Sequence, residues 1–211
     1  MSTFADQLSL FLVSLSAVFF VVDPIGVVPL FLAMTHKDPP EKVRSMALRA
    51  CLVGCGLLCF FALFGGIVFK LMGVTLSAFR VAGGILLLIT ALDMLRARTS
   101  ETRTSPGEAE EGATKDDIAI VPLAVPLLAG PGAIATVMVL MSKGDGVLSG
   151  VPVVISILIT FIVSYFLLRA AVLVQRVLRQ SGVAILQRVM GLILAAIAVQ
   201  FIAEGTRALM R

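Results

Sequence analysis

Apolar residues run in long blocks along this chain, at 8–35, 43–72, 76–95, 118–142, 147–174 and 183–209, separated by short polar connections. Each block reaches the about 20 residues that a helix needs to cross the hydrocarbon core of a bilayer. The pattern therefore predicts an all-α, polytopic membrane protein with six transmembrane segments. The connection at 96–117 differs in kind, being rich in Ser, Thr, Pro, Gly, Glu and Lys, and reads as a solvated linker. It divides the chain into a first three-helix unit (1–95), the linker (96–117) and a second three-helix unit (118–211).

Two of the blocks are interrupted where a spanning helix would carry Leu, Ile or Val. The first holds Asp23-Pro24-Ile25-Gly26 and the fourth holds Gly130-Pro131-Gly132-Ala133. Asp23 lies about 15 residues after Leu8, roughly 22 Å at helical rise, and Gly130 about 12 residues after Ile118, roughly 18 Å, which puts both breaks inside the bilayer. Backbone groups freed at that depth are tolerated where they are buried in protein or line a wet cavity. Paired breaks in corresponding positions of two halves point to a solute site.

The halves also match in sequence. Asp23-Pro24 aligns with Gly130-Pro131 at an offset of 107, and Arg80-Val81-Ala82-Gly83 aligns with Arg188-Val189-Met190-Gly191 at 108. Nearly equal offsets predict an internal repeat. An odd number of spans per repeat inverts the second relative to the first, so the expected architecture is two inverted three-helix repeats with broken helices 1 and 4.

Composition changes this picture little. Hydrophobic residues make up 59% of the 211 residues and charged residues 14%, with mean hydropathy +1.06, outside the range of soluble domains. The N-terminus carries no Lys or Arg and no cleavage signature, so the first block is expected to stay as a span. Charge sets orientation: of the 17 Lys and Arg residues, the side bearing the linker takes Lys37, Lys42, Arg44, Arg49, Arg96, Arg98, Arg103, Lys115, Arg169, Arg176, Arg179 and Arg188. The positive-inside rule places the linker in the cytoplasm and both termini in the periplasm of a bacterial inner membrane. For such a chain the net charge of +4 reports orientation and not nucleic-acid binding.

The chemistry concentrates at the breaks. Asp23 before Pro24 is the order of an N-cap followed by Pro at the first helical position, and Gly130 before Pro131 opens a second half-helix whose Gly132 and Ala133 leave the backbone approachable. A helix start gathers unpaired N–H groups and partial positive charge. The Gly130 start has no acid of its own and suits a substrate carboxylate; Asp23 suits a substrate ammonium, H⁺ or Na⁺, or simply seals its break. Asp23, Pro24, Gly26, Gly130, Pro131, Gly132, Ala133 and Thr136 are the candidate substrate-binding residues, and Asp23 is the ion-coupling candidate. Thr136 has two readings, lining the pocket or bonding a carbonyl of its own helix. Pro29, Pro122 and Pro126 are expected to fix kinks. Glu204 with Arg207, joined by Gln200, reads as a boundary cluster, and Arg80 and Arg188 as snorkelling anchors or gate charges. Cys51, Cys55 and Cys59 share one helix face without His or carboxylate company, and neither a metal nor a cofactor is expected.

The segments Asp23-Pro24-Ile25-Gly26-Val27-Val28-Pro29-Leu30-Phe31 and Pro122-Leu123-Ala124-Val125-Pro126-Leu127-Leu128-Ala129-Gly130-Pro131-Gly132-Ala133-Ile134 resemble the MarC family (UPF0056) of bacterial inner-membrane proteins, which overlaps the small neutral amino acid transporters. The resemblance implies a transporter-like protein, with glycine or alanine as the class of solute and the two turns as its site. The expected function is alternating-access transport of small neutral amino acids. The alternative is an exporter or channel for another small solute. Intramembrane enzyme activity is a distant third: no second aspartate stands at depth, and the one histidine, His36, lies in a charged loop.

Overall fold

The computed structural model describes residues 4–96, 119–142 and 150–210; nearly all of the expected linker and the start of the fifth block lie outside them. The described residues form helices and no strand. In order these are α1 (Phe4–Val22), α2 (Pro24–Thr35), α3 (Pro40–Leu71), α4 (Leu76–Leu95), a π-type segment (Ala119–Leu128), α5 (Pro131–Met141), α6 (Val151–Arg169) and α7 (Ala171–Leu209).

Among the described residues five stretches are, by length and composition, able to cross a membrane: Gln7–Thr35, Pro40–Leu71, Leu76–Leu95, Val151–Arg169 and Ser181–Leu209. The fourth apolar block is not among them, because it is built in two pieces. Its first piece is no regular helix. Val121 (φ −127°, ψ 124°) and Val125 (φ −130°, ψ 122°) are extended, and each precedes a proline, whose ring disfavours the helical region for the residue before it. The chain recovers through an Ala129 N–H to Ala124 carbonyl bond of 2.9 Å, spanning five residues. The helical rise assumed for 118–130 therefore does not apply there.

Elsewhere helix ends follow local chemistry. Thr75 caps α4, its Oγ1 accepting from the Ala78 N–H at 3.1 Å, after a turn through Gly73 at φ 69°. Pro40 stands at the start of α3, where the missing N–H costs nothing. The fifth block turns at Ala170 (φ −94°, ψ 18°), four residues before its apolar run ends. The polar stretch that follows, expected as a loop, belongs to α7, 39 residues long or about 58 Å. Gln, Arg, Leu and Val without proline sustain a helix regardless of polarity.

The packing is reciprocal between the halves. α1 lies on α6 and the π segment on α3; α2 lies on α7 and α5 on α4; α4 and α7 run against each other. Exchanging the halves turns the first pair into the second and the third into the fourth, and leaves α4 with α7. The closest approach repeats in detail. A Cβ on Gly84 would stand 3.0 Å from the Ala198 carbonyl oxygen and 3.1 Å from the Ile202 nitrogen; one on Gly191 would stand 3.0 Å from the Ala91 oxygen and 3.2 Å from the Leu95 nitrogen. Gly84 pairs with Gly191, Ala91 with Ala198 and Leu95 with Ile202, all at an offset of 107. That is the offset of the two breaks, and it replaces the 108 of the sequence alignment. The order of these contacts makes α4 and α7 antiparallel. Inside, Phe31, Leu58, Leu87, Leu123, Leu128 and Leu194 are fully buried, while Leu52, Leu63, Ile67, Ile162, Phe166 and Leu192 project outward, an apolar exterior suited to lipid.

Candidate functional site

The first break consists of one residue. Asp23 stands between α1 and α2 at φ 50°, ψ 57°, the only non-glycine residue with positive φ among those described. N-cap residues are usually extended; the left-handed conformation is open to Asp because its short polar side chain bonds locally. The Asp23 N–H closes α1 on the Phe19 carbonyl at 3.0 Å, and its own carbonyl accepts from Val27 at 3.2 Å to open α2. The side chain folds back over the new helix, Oδ1 accepting from the Gly26 N–H at 3.1 Å. Gly26 is a condition of this arrangement: a Cβ there would collide with the Asp23 carboxylate. The carboxylate is thus a true cap, and the residue is 1% exposed.

The second break is open by comparison. Gly130 is extended (φ −74°, ψ 171°), no side chain caps α5, and Pro131 takes its first turn. Pro131 is exposed, Gly130 and Gly132 half-buried, Ala133 buried. The amide dipoles of this start meet no carboxylate of their own helix.

The two breaks are neighbours. A Cβ on Gly132 would come within 3.9 Å of Val21, two residues before Asp23, and would press on Leu87 of α4 at 2.6 Å. Ala129 faces Gly54 of α3, which also receives the ring of Phe161 from α6. Five elements thus meet around the pair. Of the predicted site residues, Asp23, Pro24 and Gly26 belong to the first break and Gly130, Pro131, Gly132 and Ala133 to the second, and the approach between the two runs through Val21 and Gly132. Thr136 is different: it is fully buried, and its hydroxyl donates to the Gly132 carbonyl of its own helix at 2.9 Å. Pro29, at the position equivalent to Thr136, lies within α2.

Two cavities lie at the outer ends of the half-helices. One, of about 430 Å³, is lined by Met138, Met141 and Ser142 at the end of α5 and by Phe69 and Lys70 of α3. The other, of about 470 Å³, is lined by Leu32, Thr35 and His36 at the end of α2, with Arg44 and Arg169. Thr35 and Ser142 stand at the offset of 107, so each cavity lies at the far end of one broken block.

Beside the first cavity Arg80 ties the halves together. Its Nη1 lies 3.4 Å from Glu204 Oε2 on α7, and its Nη2 donates to Ser142 Oγ at 3.3 Å. Gln200 Nε2 holds the other Glu204 oxygen at 2.9 Å. Sequence reasoning gave Glu204 to Arg207; the arginine that reaches it comes instead from the opposite half, a pairing that spacing within one helix cannot reveal. It also missed a buried polar seam between α1 and α6, where Ser156 Oγ donates to the Phe11 carbonyl at 3.3 Å and Ser14 and Thr160 are fully buried. Small hydroxylic residues in an apolar block were the only signal.

A family profile described as MarC family integral membrane protein matches residues 8–210. A UPF0056 membrane protein of Methanocaldococcus jannaschii is 39% identical over 95% of this chain and 98% of its own length. The UPF0056 membrane protein YhcE of Escherichia coli is 32% identical over 90% of this chain and 88% of its own length, and YvbG of Bacillus subtilis 33% over 90% and 91%. No solved structure matches the chain. With both breaks inside the matched region and the similarity running nearly end to end, the chain belongs to the MarC family of multi-pass integral membrane proteins.

Proposed function

We propose that this protein is a secondary transporter of small neutral amino acids, glycine- or alanine-like, working by alternating access of two inverted three-helix halves about the paired breaks. The observation that carries the reading is the junction of two unlike helix starts, an uncapped one at Gly130-Pro131-Gly132 and an acid-capped one at Asp23. The first offers N–H groups and a positive dipole end to a carboxylate; the second offers a buried carboxylate to an ammonium, H⁺ or Na⁺. A zwitterion with a small side chain satisfies both. Ala133 and the close packing of Leu87 on Gly132 leave little room for anything larger.

Reciprocal packing supports the inverted-repeat reading. An antiparallel α4–α7 pair whose contacts exchange at one offset is what a two-fold axis in the membrane plane produces. The irregular π segment and α5 together serve as the fourth span, completing six. The two end cavities then act as opposite vestibules, each separated from the junction by one half-helix, so a solute reaches the breaks only when one half rocks against the other. No enzymatic step is assigned to the junction. The linker faces the cytoplasm and both termini the periplasm.

Counterflow in proteoliposomes tests this: vesicles preloaded with unlabelled alanine are expected to accumulate labelled alanine transiently above its equilibrium level. A channel gives simple equilibration, and its appearance would replace the carrier by the alternative reading of a pore.

A further inference from the structure

The cavity at the end of α2 differs from its counterpart in one respect that the repeat does not explain. Its wall carries two arginines, Arg44 from the start of α3 and Arg169 from the end of α6, where the equivalent cavity at the end of α5 has the single Lys70. We infer that this cavity binds the phosphate of an anionic phospholipid headgroup, held between Arg44 and Arg169. This inference does not rest on transport.

The two guanidinium groups converge. Arg44 Nε donates to Tyr165 Oη at 3.4 Å, and Arg169 lines the same cavity. Like charges gathered on the wall of one cavity favour an anion between them. One carboxylate, Asp38, also lines the cavity and is engaged by Lys42 at 2.8 Å, and no carboxylate among the described residues pairs with Arg44 or Arg169. The other polar side chains of the lining are already engaged within the protein: the Thr35 hydroxyl donates to the Phe31 carbonyl at 2.8 Å and His36 Nδ1 is 2.8 Å from the Ala33 carbonyl. Charge on this wall is therefore supplied by the arginines, whose planar forks suit phosphate oxygens.

The rest of the lining fits a lipid better than a soluble ion. Leu32, Val43 and Val172 line the same cavity, and Val172 and Leu173 present apolar side chains on the outer surface at 63% and 59% exposed. A headgroup in the cavity leaves its acyl chains on that surface. Basic pockets between spanning helices are recurring sites for such headgroups.

Detergent-purified full chain is titrated with phosphatidylglycerol, phosphatidylcholine and inorganic phosphate, and binding is read by native mass spectrometry and by the shift in unfolding temperature. Phosphatidylglycerol is expected to bind and stabilise, phosphatidylcholine much less. Arg44→Gln with Arg169→Gln is expected to raise the Kd for phosphatidylglycerol at least about tenfold, in line with losing one or more charge-assisted bonds. Arg176→Gln with Arg188→Gln, which removes the same charge outside the cavity, is expected to leave it within about twofold. Each arginine is exposed, so the variants fold, and the single changes give intermediate values if they share one ligand. Equal loss in both double variants reduces the effect to general surface charge and overturns the site. Inorganic phosphate competing at equal concentration keeps the phosphate contact but overturns the lipid as its source.

Discussion

Asp23 does two things that ordinarily need different residues. It adopts the left-handed conformation that ends α1, a role usually filled by Gly or Asn, and it supplies the side-chain oxygen that starts α2. This separates cap from charge in a testable way. Asn retains both the tolerance of positive φ and an acceptor, so Asp23→Asn is expected to change unfolding free energy by less than about 1 kcal/mol. Gly26→Ala acts oppositely. Its methyl displaces the carboxylate and costs the cap, expected at about 1–2 kcal/mol in denaturant unfolding in detergent. The sequence announced Asp23 as a cap through the proline after it, but not its left-handed backbone, which arises because α2 continues from α1 with no linker residue to spare.

At the scale of elements, glycines divide by what faces them. A Cβ added to Gly84 or Gly191 would meet the partner helix's backbone at 3.0 to 3.2 Å, and backbone yields less readily than a side-chain tip. Gly84→Ala and Gly191→Ala are expected to destabilise by similar amounts, about 1–3 kcal/mol each. Gly56, with nothing within 4 Å, is expected to tolerate alanine neutrally or gain up to about 1 kcal/mol from helix propensity. Thermal unfolding of the three variants compares them; unequal costs at Gly84 and Gly191 would break the reciprocity. Apolar length made α3 and α4 legible from the sequence almost to the residue. It misled at 118–130, where Val121 and Val125 before prolines outweigh a hydrophobic run, and at 175–182, where polarity was read as a loop although nothing there ends a helix.

The whole molecule is held by contacts that cross between halves: α1 on α6, the π segment on α3, α4 along α7, and Arg80 with Glu204. Such pairings join residues far apart in the sequence, and periodicity carries no trace of them; only the offset between the matched halves pointed to them. The orientation assigned by charge makes its own prediction. A periplasm-dependent reporter such as alkaline phosphatase fused after Arg211 is expected to be active, and the same reporter inserted in the linker inactive. Reversed activities would invert the molecule, and with it the side on which the arginine cavity opens.

The central claim is that the two helix starts together bind the solute, and the most direct measurement is uptake of labelled glycine and alanine into proteoliposomes, with and without H⁺ or Na⁺ gradients, by wild type and by Asp23→Asn of matched stability. The account predicts saturable uptake by wild type, stimulated by one gradient, and at least about tenfold lower in the variant, the scale of one lost charge contact. Undiminished uptake by Asp23→Asn would reduce Asp23 to a cap, and no uptake by folded wild type under any gradient would contradict the amino-acid site altogether.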